Sequence, residues 1–310
     1  MNNFLIHSYY RFVNISDKKK IKIKIDNFIK NKKLRGTILI ANEGINGSIS
    51  GRGEDLDELL RFIKNLLNIR KVSLKINEVE FLPFNRLKVR LKKEIVSLGK
   101  GEMPPERRNI NYIIPSEWNS FIEQEELVLI DLRNIYEVKI GKFKNALDPK
   151  TLCFRDFPKK IEEMNLNKNN KIGIYCTGGV RCEKASKYLS IKGFKNVYQL
   201  EGGVLNYLDF IKNNKLKSKW SGECFVFDNR VSVDSNLKPG KYLQCHGCRS
   251  PISANDTKSK TYIKGVSCKY CYNERTEEQK KRSMNRQQQI HAAENKKITH
   301  PFKKITSDNF

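Results

Sequence analysis

The chain has 310 residues, enough for two or three domains that each bury a core, and carries 60 Lys and Arg against 34 Asp and Glu, a net charge of +26. That excess favours an anionic partner, nucleic acid first, although Lys, Asn and Ile are abundant together, as in chains from A+T-rich genomes, where the bias inflates Lys without function. No stretch approaches the roughly 18 apolar residues of a membrane span and the first residues lack a basic lead, so neither a span nor a signal peptide is expected, and the expected compartment is the cytoplasm.

Residues 4–13 read as a first strand. A helix is expected over about 17–31 with Ser16 as its cap, although Ile21, Ile23 and Ile25 alternate as in a strand. Thr37 to Ala41 is a clean strand, Asn42-Glu43-Gly44-Ile45-Asn46-Gly47 has the chemistry of a tight hairpin, and Ser48-Ile49-Ser50 returns. Glu54 to Leu67 is amphipathic with acidic residues at its start, a helix pattern, and Leu87 to Ile95 is a final strand. The order β-α-β-β-α-β predicts a basic ferredoxin-like α+β domain over residues 1–110. On its last strand Lys88, Arg90 and Lys92 share one face by period-two alternation, opposite Val89 and Leu91. Two readings are open for that face: it tracks a phosphate backbone, or it is simply solvated.

Residues 99–109 form a Gly/Pro-rich charged linker, and an α/β domain with a parallel sheet is expected over 111–219. Ser116 is a candidate helix cap, and the strand Leu127 to Leu132 delivers Asp131 and Arg133 to its carboxyl end, where ligands sit in open α/β sheets. Asp131 would orient the neighbouring loop or Arg133 through a salt bridge. The domain's focus is residues 171–186. A short buried strand, Lys171 to Tyr175, runs into Cys176-Thr177-Gly178-Gly179-Val180-Arg181, and a helical pattern follows from about Glu183 to Lys192. Two glycines let successive backbone N–H groups curl around the Cys176 sulfur, the helix start adds partial positive charge, and Arg181 adds a full one. All three favour the thiolate, so Cys176 is the candidate nucleophile with Arg181 as its partner and Thr177 to Val180 as an anion-binding loop. Cys182 would either resolve an oxidised Cys176 or fill the start of the helix.

Composition changes at Trp220, and residues 220–310 are expected to form a small Cys-rich module with a basic helical tail. Cys245-x-x-Cys248 and Cys268-x-x-Cys271, 19 residues apart, fit a structural Zn²⁺ site of four thiolates, a means of folding a module with little core of its own. Eight cysteines used in this way suit a reducing compartment better than a disulfide framework.

The loop Cys176-x-x-Gly179-x-Arg181 resembles the active-site loop of rhodanese domains, with further marks at Leu129-Ile130-Asp131-Leu132-Arg133, Glu137, Gly141 and Leu200-Glu201-Gly202-Gly203-Val204. Together with residues 41–47, 88–96 and 222–228, the loop makes the chain closely similar, over about 1–290, to the bacterial rhodanese-like tRNA uridine hydroxylases. The resemblance implies an oxidoreductase that uses molecular oxygen to convert the wobble uridine of certain tRNAs to 5-hydroxyuridine, docks the anticodon arm, and places Cys176 in the catalytic loop. Nothing in the residues themselves reports oxidation of a base. No flavin or nicotinamide fingerprint is present, and the electron donor is unknown. The residues by themselves support persulfide or sulfenate chemistry on Cys176, and the alternative is a sulfurtransferase carrying a persulfide there to tRNA or a small thiophile. A non-enzymatic RNA-binding module, with the rhodanese domain as scaffold, would have no need of Cys176 and Arg181.

Overall fold

The computed structural model describes residues 4–105, 109–296, 298 and 305–306; part of the expected linker and part of the end of the expected tail lie outside them. In the amino-terminal domain β1 (Phe4–Phe12) is followed by α1 (Lys18–Ile29), β2 (Arg35–Ala41), β3 (Gly44–Gly51), α2 (Gly53–Leu66) and β4 (Ser73–Val79). Ile25 and Ile29 of α1 are buried four residues apart while Ile23 faces solvent, so a helical stripe rather than the isoleucine alternation decides this segment. Its cap is Asp17, whose carboxylate accepts from the Lys20 N–H at 2.9 Å, and not Ser16. Both helices pack their apolar stripes on Ile38, Ile40, Ile45 and Ile49 of the sheet.

The expected ferredoxin-like order is present, but the strand that completes it is β4 and not residues 87–95. In β4 Leu74 and Ile76 are turned to solvent, which hides the strand from a search for a buried face. After β5 (Phe81–Leu82), β6 (Leu87–Leu91) joins as a fifth strand, parallel to β2, at the edge of the order β4-β1-β3-β2-β6. It stops at Leu91, four residues short of the expected end.

The central domain contains β7 (Asn111–Ile113), α3 (Pro115–Phe121), β8 (Leu127–Asp131), α4 (Ile135–Val138), β9 (Gly141–Phe143), α5 (Phe157–Glu163), β10 (Lys171–Tyr175), α6 (Val180–Ile191), β11 (Asn196–Leu200) and α7 (Gly203–Asn213). Its sheet is parallel in the order β7-β11-β10-β8, with an apolar core on each face, as a sheet covered by helices on both sides requires. α3 begins on Pro115 with Ile114 in the cap position, so Ser116 lies inside the helix. α6 begins at Val180, three residues before the expected start.

Beyond α7, β12 (Trp220–Gly222) pairs with β9, and β13 (Cys224–Phe225) pairs with β14 (Ser232–Val233). Trp220, Cys224, Val226 and Val233 belong to the same core as Trp118, Tyr175 and Leu200, so the change of composition at 220 is not a change of packing. The separate small module carries β15 (Leu243–Gln244), β16 (Pro251–Ile252) and a core of Cys245, Ile252, Cys268 and Cys271. The polar α8 (Glu277–Asn295) follows, capped by Thr276. Among the described residues no helix is long and apolar enough to cross a membrane.

Candidate active site at the Cys176 loop

β10 lies between β8 and β11 and brings Cys176 to the carboxyl edge of the parallel sheet. The first turn of α7 clamps the loop: the Val204 N–H donates to the Cys176 carbonyl at 2.9 Å and the Leu205 N–H to that of Thr177 at 3.1 Å. This approach requires glycine at 203, where a Cβ would lie 2.5 Å from the Cys176 carbonyl oxygen. Gly179 takes φ +94° and directs its N–H at the Cys176 sulfur, 3.1 Å away. Burial by itself would raise the thiol's pKa. Hydrogen bonding from the Cys182 thiol, the Arg181 charge, and the N–H groups of Cys182 and Gly179 outweigh it and bring Cys176 down to about 6. Burial and the adjacent sulfur push Cys182 the other way, well above an ordinary thiol, so Cys182 keeps its proton and donates it. Both sulfurs are in the core, and Cys176 has 0% exposure.

Arg181 does not point into open space. Its guanidinium grips Glu137 through two bonds of 2.7 and 2.8 Å, and Thr177 donates to the same carboxylate at 3.2 Å. Burial opposes ionisation of Glu137, but Arg181 foremost, then Arg133 and the Asn134 N–H, hold it below the ordinary carboxylate range. Arg181 thus acts on the sulfur as a fixed charge whose position Glu137 sets. Asp131 clasps Arg133 through bonds of 2.9 and 2.6 Å, while Arg133 also donates to the Gly141 carbonyl at 2.6 Å and lies over the Trp220 ring. Both residues of that pair are completely buried.

The amino-terminal domain completes the site. Tyr10 of β1 donates to Glu183 at 2.8 Å, Tyr112 donates to the same oxygen at 3.1 Å, and Tyr10 Oη lies 2.9 Å from where a Cβ on Gly179 would be. One residue along α6, the fully buried Lys184 donates to both oxygens of Glu43 at 2.8 Å and to Glu94 at 2.5 Å. Each carboxylate also accepts backbone N–H groups, Ile95 on Glu43 at 2.9 Å and Leu98 on Glu94 at 2.9 Å. The Asn42-Glu43 turn is therefore more than a bend: it inserts a carboxylate beneath the loop's helix. Sequence reading singled out neither this triad nor Tyr10, since partners 141 and 173 residues apart leave no local spacing. Glu137 stood out only as a rhodanese mark, with no role attached.

The four sulfurs of Cys245, Cys248, Cys268 and Cys271 all lie within 4.8 Å of one another, with pairs at 3.8 to 3.9 Å. Tetrahedral thiolates about 2.3 Å from one ion stand about 3.8 Å apart, so the cluster has the geometry of a metal site. His246, inside the first knuckle, faces solvent. Lys88 and Arg90 occupy the face of β6 opposite Leu87, Val89 and Leu91, as alternation predicts, while Lys92 lies exposed just past the strand end. Arg86 and, from the first knuckle, Arg249 join them. Partial burial and then these three arginines lower the Lys88 pKa. No carboxylate among the described residues pairs with this group.

Residues 4–95 match the UPF0176 acylphosphatase-like domain family and residues 115–209 the rhodanese-like domain family. Among solved structures, a rhodanese-like domain protein of Staphylococcus aureus is 27% identical over 32% of this chain and 91% of its own, with a TM-score of 0.28. A rhodanese-related protein of Thermoplasma volcanium is 21% identical over 32% of this chain and 92% of its own, also with a TM-score of 0.28. The tRNA uridine(34) hydroxylase of Pelagibacter ubique (strain HTCC1062) is 45% identical over 97% of this chain and 99% of its own length. With both domains in order and that identity running through almost the whole of both proteins, the chain belongs to the tRNA uridine(34) hydroxylase family.

Proposed function

We propose that this protein hydroxylates C5 of uridine 34 in tRNA, with molecular oxygen as co-substrate and Cys176 as nucleophile. The observation that carries the reading is a loop cysteine brought to a pKa of about 6 in a chain 45% identical, end to end, to a tRNA uridine(34) hydroxylase. A thiolate activates uracil by adding to C6: the Sγ–C6 bond forms and the C5=C6 π pair moves onto C5 and the O4 enolate. C5 then bonds to an oxygen at the peroxide level, which molecular oxygen reaches by taking two electrons and two protons from an external two-electron reductant. Loss of the C5 proton and departure of the sulfur restore the double bond and the thiolate, and water leaves. The donors that lower the Cys176 pKa also make its sulfur a good leaving group in this last step. Because Cys176 is enclosed, the uridine must leave its stack and the loop must open at its exposed tip, Gly178.

In this reading the group Arg86, Lys88, Arg90, Lys92 and Arg249 takes up phosphates of the anticodon arm. The four-cysteine cluster holds a structural Zn²⁺, whose S₄ donor set and spacing it fits, and the ion folds the small module without entering the chemistry. Cys182 supports the thiolate by donating its proton. A second reading, persulfide transfer to tRNA or a small thiophile, is favoured by the cradle of N–H groups around a single sulfur. The deciding experiment incubates the purified protein, a reductant and unmodified tRNA with and without oxygen, then weighs the nucleosides. A uridine heavier by one oxygen, formed only in air and missing with Cys176→Ser, is expected. A gain of sulfur, or unchanged modification by Cys176→Ser, refutes the hydroxylase mechanism drawn here.

A further inference from the structure

The segment after β13 holds Phe227 at the surface beside the loop, 63% exposed. A single exposed apolar side chain is ordinary on protein surfaces, but this one is rigidly supported. Its ring meets the buried Phe225 edge to face at 5.1 Å. The turn that carries it is closed by hydrogen bonds from the Val231 N–H to the Asp228 carbonyl at 3.0 Å and from the Val226 N–H to the Val231 carbonyl at 2.9 Å. Asp228 and Arg230, both buried, lock the same turn with a two-point ion pair of 2.9 and 2.6 Å. The residue is thus presented by a braced turn rather than left over at a frayed end. Its neighbour is the loop itself: the Arg181 guanidinium lies over the Phe227 ring, 5.8 Å from its centroid. Arg181 is also the residue that Glu137 fixes and that helps to ionise Cys176.

We infer that Phe227 is the stacking surface for the uracil ring presented to Cys176, which rests on the tRNA reading above. Every base offers a π face, and an aromatic ring is the usual receiver for an unstacked one. Here the Arg181 guanidinium lies over the ring, and the 63% of the residue left exposed is the surface offered to a planar base. A phenyl ring gives orientation without hydrogen bonds, which leaves identification of the uracil edge to the polar groups of the loop.

The test measures binding of an anticodon stem-loop RNA with uridine at position 34, and of the same RNA abasic at that position, to the full-length protein. Phe227→Ala is expected to weaken binding of the uridine RNA by about 5- to 150-fold, the range spanned by base–aromatic stacking. It should leave the abasic RNA unchanged, and Phe227→Trp should restore the uridine affinity. Phe227→Leu, which keeps the apolar bulk, guards against a variant that fails to fold and should bind like Phe227→Ala. Equal loss on both RNAs, or uridine binding by Phe227→Ala or Phe227→Leu at the wild-type level, overturns the stacking role while leaving the tRNA reading intact. Wild-type protein that does not distinguish the two RNAs from unrelated RNA overturns the tRNA reading and the stacking role with it.

Discussion

Lys184→Met tests how the amino-terminal domain is fastened to the candidate site. Lys184 has no exposed surface and neutralises two carboxylates from another domain, Glu43 at 2.8 Å and Glu94 at 2.5 Å. The substitution keeps the length and apolar stem but leaves both carboxylates buried without their cation. Breaking a buried pair on one side costs about 3–5 kcal/mol, a large part of the roughly 5–15 kcal/mol by which a domain is stable. Urea unfolding can be followed by fluorescence, because both tryptophans, Trp118 and Trp220, are buried in one core with Tyr175 of β10. The effect has a defined pH dependence. Burial opposes ionisation of Glu94, but Lys184 and the N–H groups of Leu98 and Gly99 lower its pKa, so in the wild type it contributes stability above its unfolded value and loses it as pH falls. With methionine at 184 the desolvation of Glu94 is opposed only by those two N–H groups, so Glu94 is protonated at a higher pH than in the wild type. The variant's deficit should therefore shrink from pH 7.5 to pH 5. Adding Glu43→Gln should recover part of the loss, with a coupling on the order of 2 kcal/mol. A Lys184→Met protein within about 1 kcal/mol of wild type at pH 7.5 would refute the triad as a fastening between domains.

Iodoacetamide labelling of the Cys176 peptide, followed by mass, should be half-maximal near pH 6, slow because the sulfur is enclosed, and Arg181→Lys should shift the midpoint upward by loosening the two-point grip of Glu137; a wild-type midpoint near 9 would remove the thiolate from the argument. Cys245→Ser should lower bound zinc and melting temperature together, whereas Cys176→Ser should change neither, and a wild type whose melting point survives complete chelation would refute a structural metal. Lys88→Ala and Arg90→Ala should each weaken tRNA binding and reduce the slope of log affinity against log salt by about 1, and an unchanged slope would assign that face to solvent alone.

The Cys176 loop was legible because its chemistry is local. Two glycines and an arginine within six residues at a strand end place the thiolate-favouring groups around Cys176, and the two Cys-x-x-Cys knuckles announce in the same way a four-sulfur cluster that could hold a metal. The period of α2 and the alternation of β6 were equally plain, since α2 buries one stripe and β6 packs Leu87, Val89 and Leu91 against the core opposite Lys88 and Arg90. Other parts were decided only by packing. β4 turns Leu74 and Ile76 outward, so its register follows from pairing with β1 rather than from its own apolar residues. α6 is buried nearly all round, and no amphipathic stripe could reveal that Lys184 faces a different domain from Cys182. The pairing of Arg181 with Glu137, the insertion of Glu43 beneath the loop, and the approach of Phe227 and Arg249 all join residues far apart in the chain. Sequence fixes which groups can ionise or stack; only the closing of the fold decides which of them meet, because burial and distance set the strength of each interaction and neither is a property of a neighbouring residue.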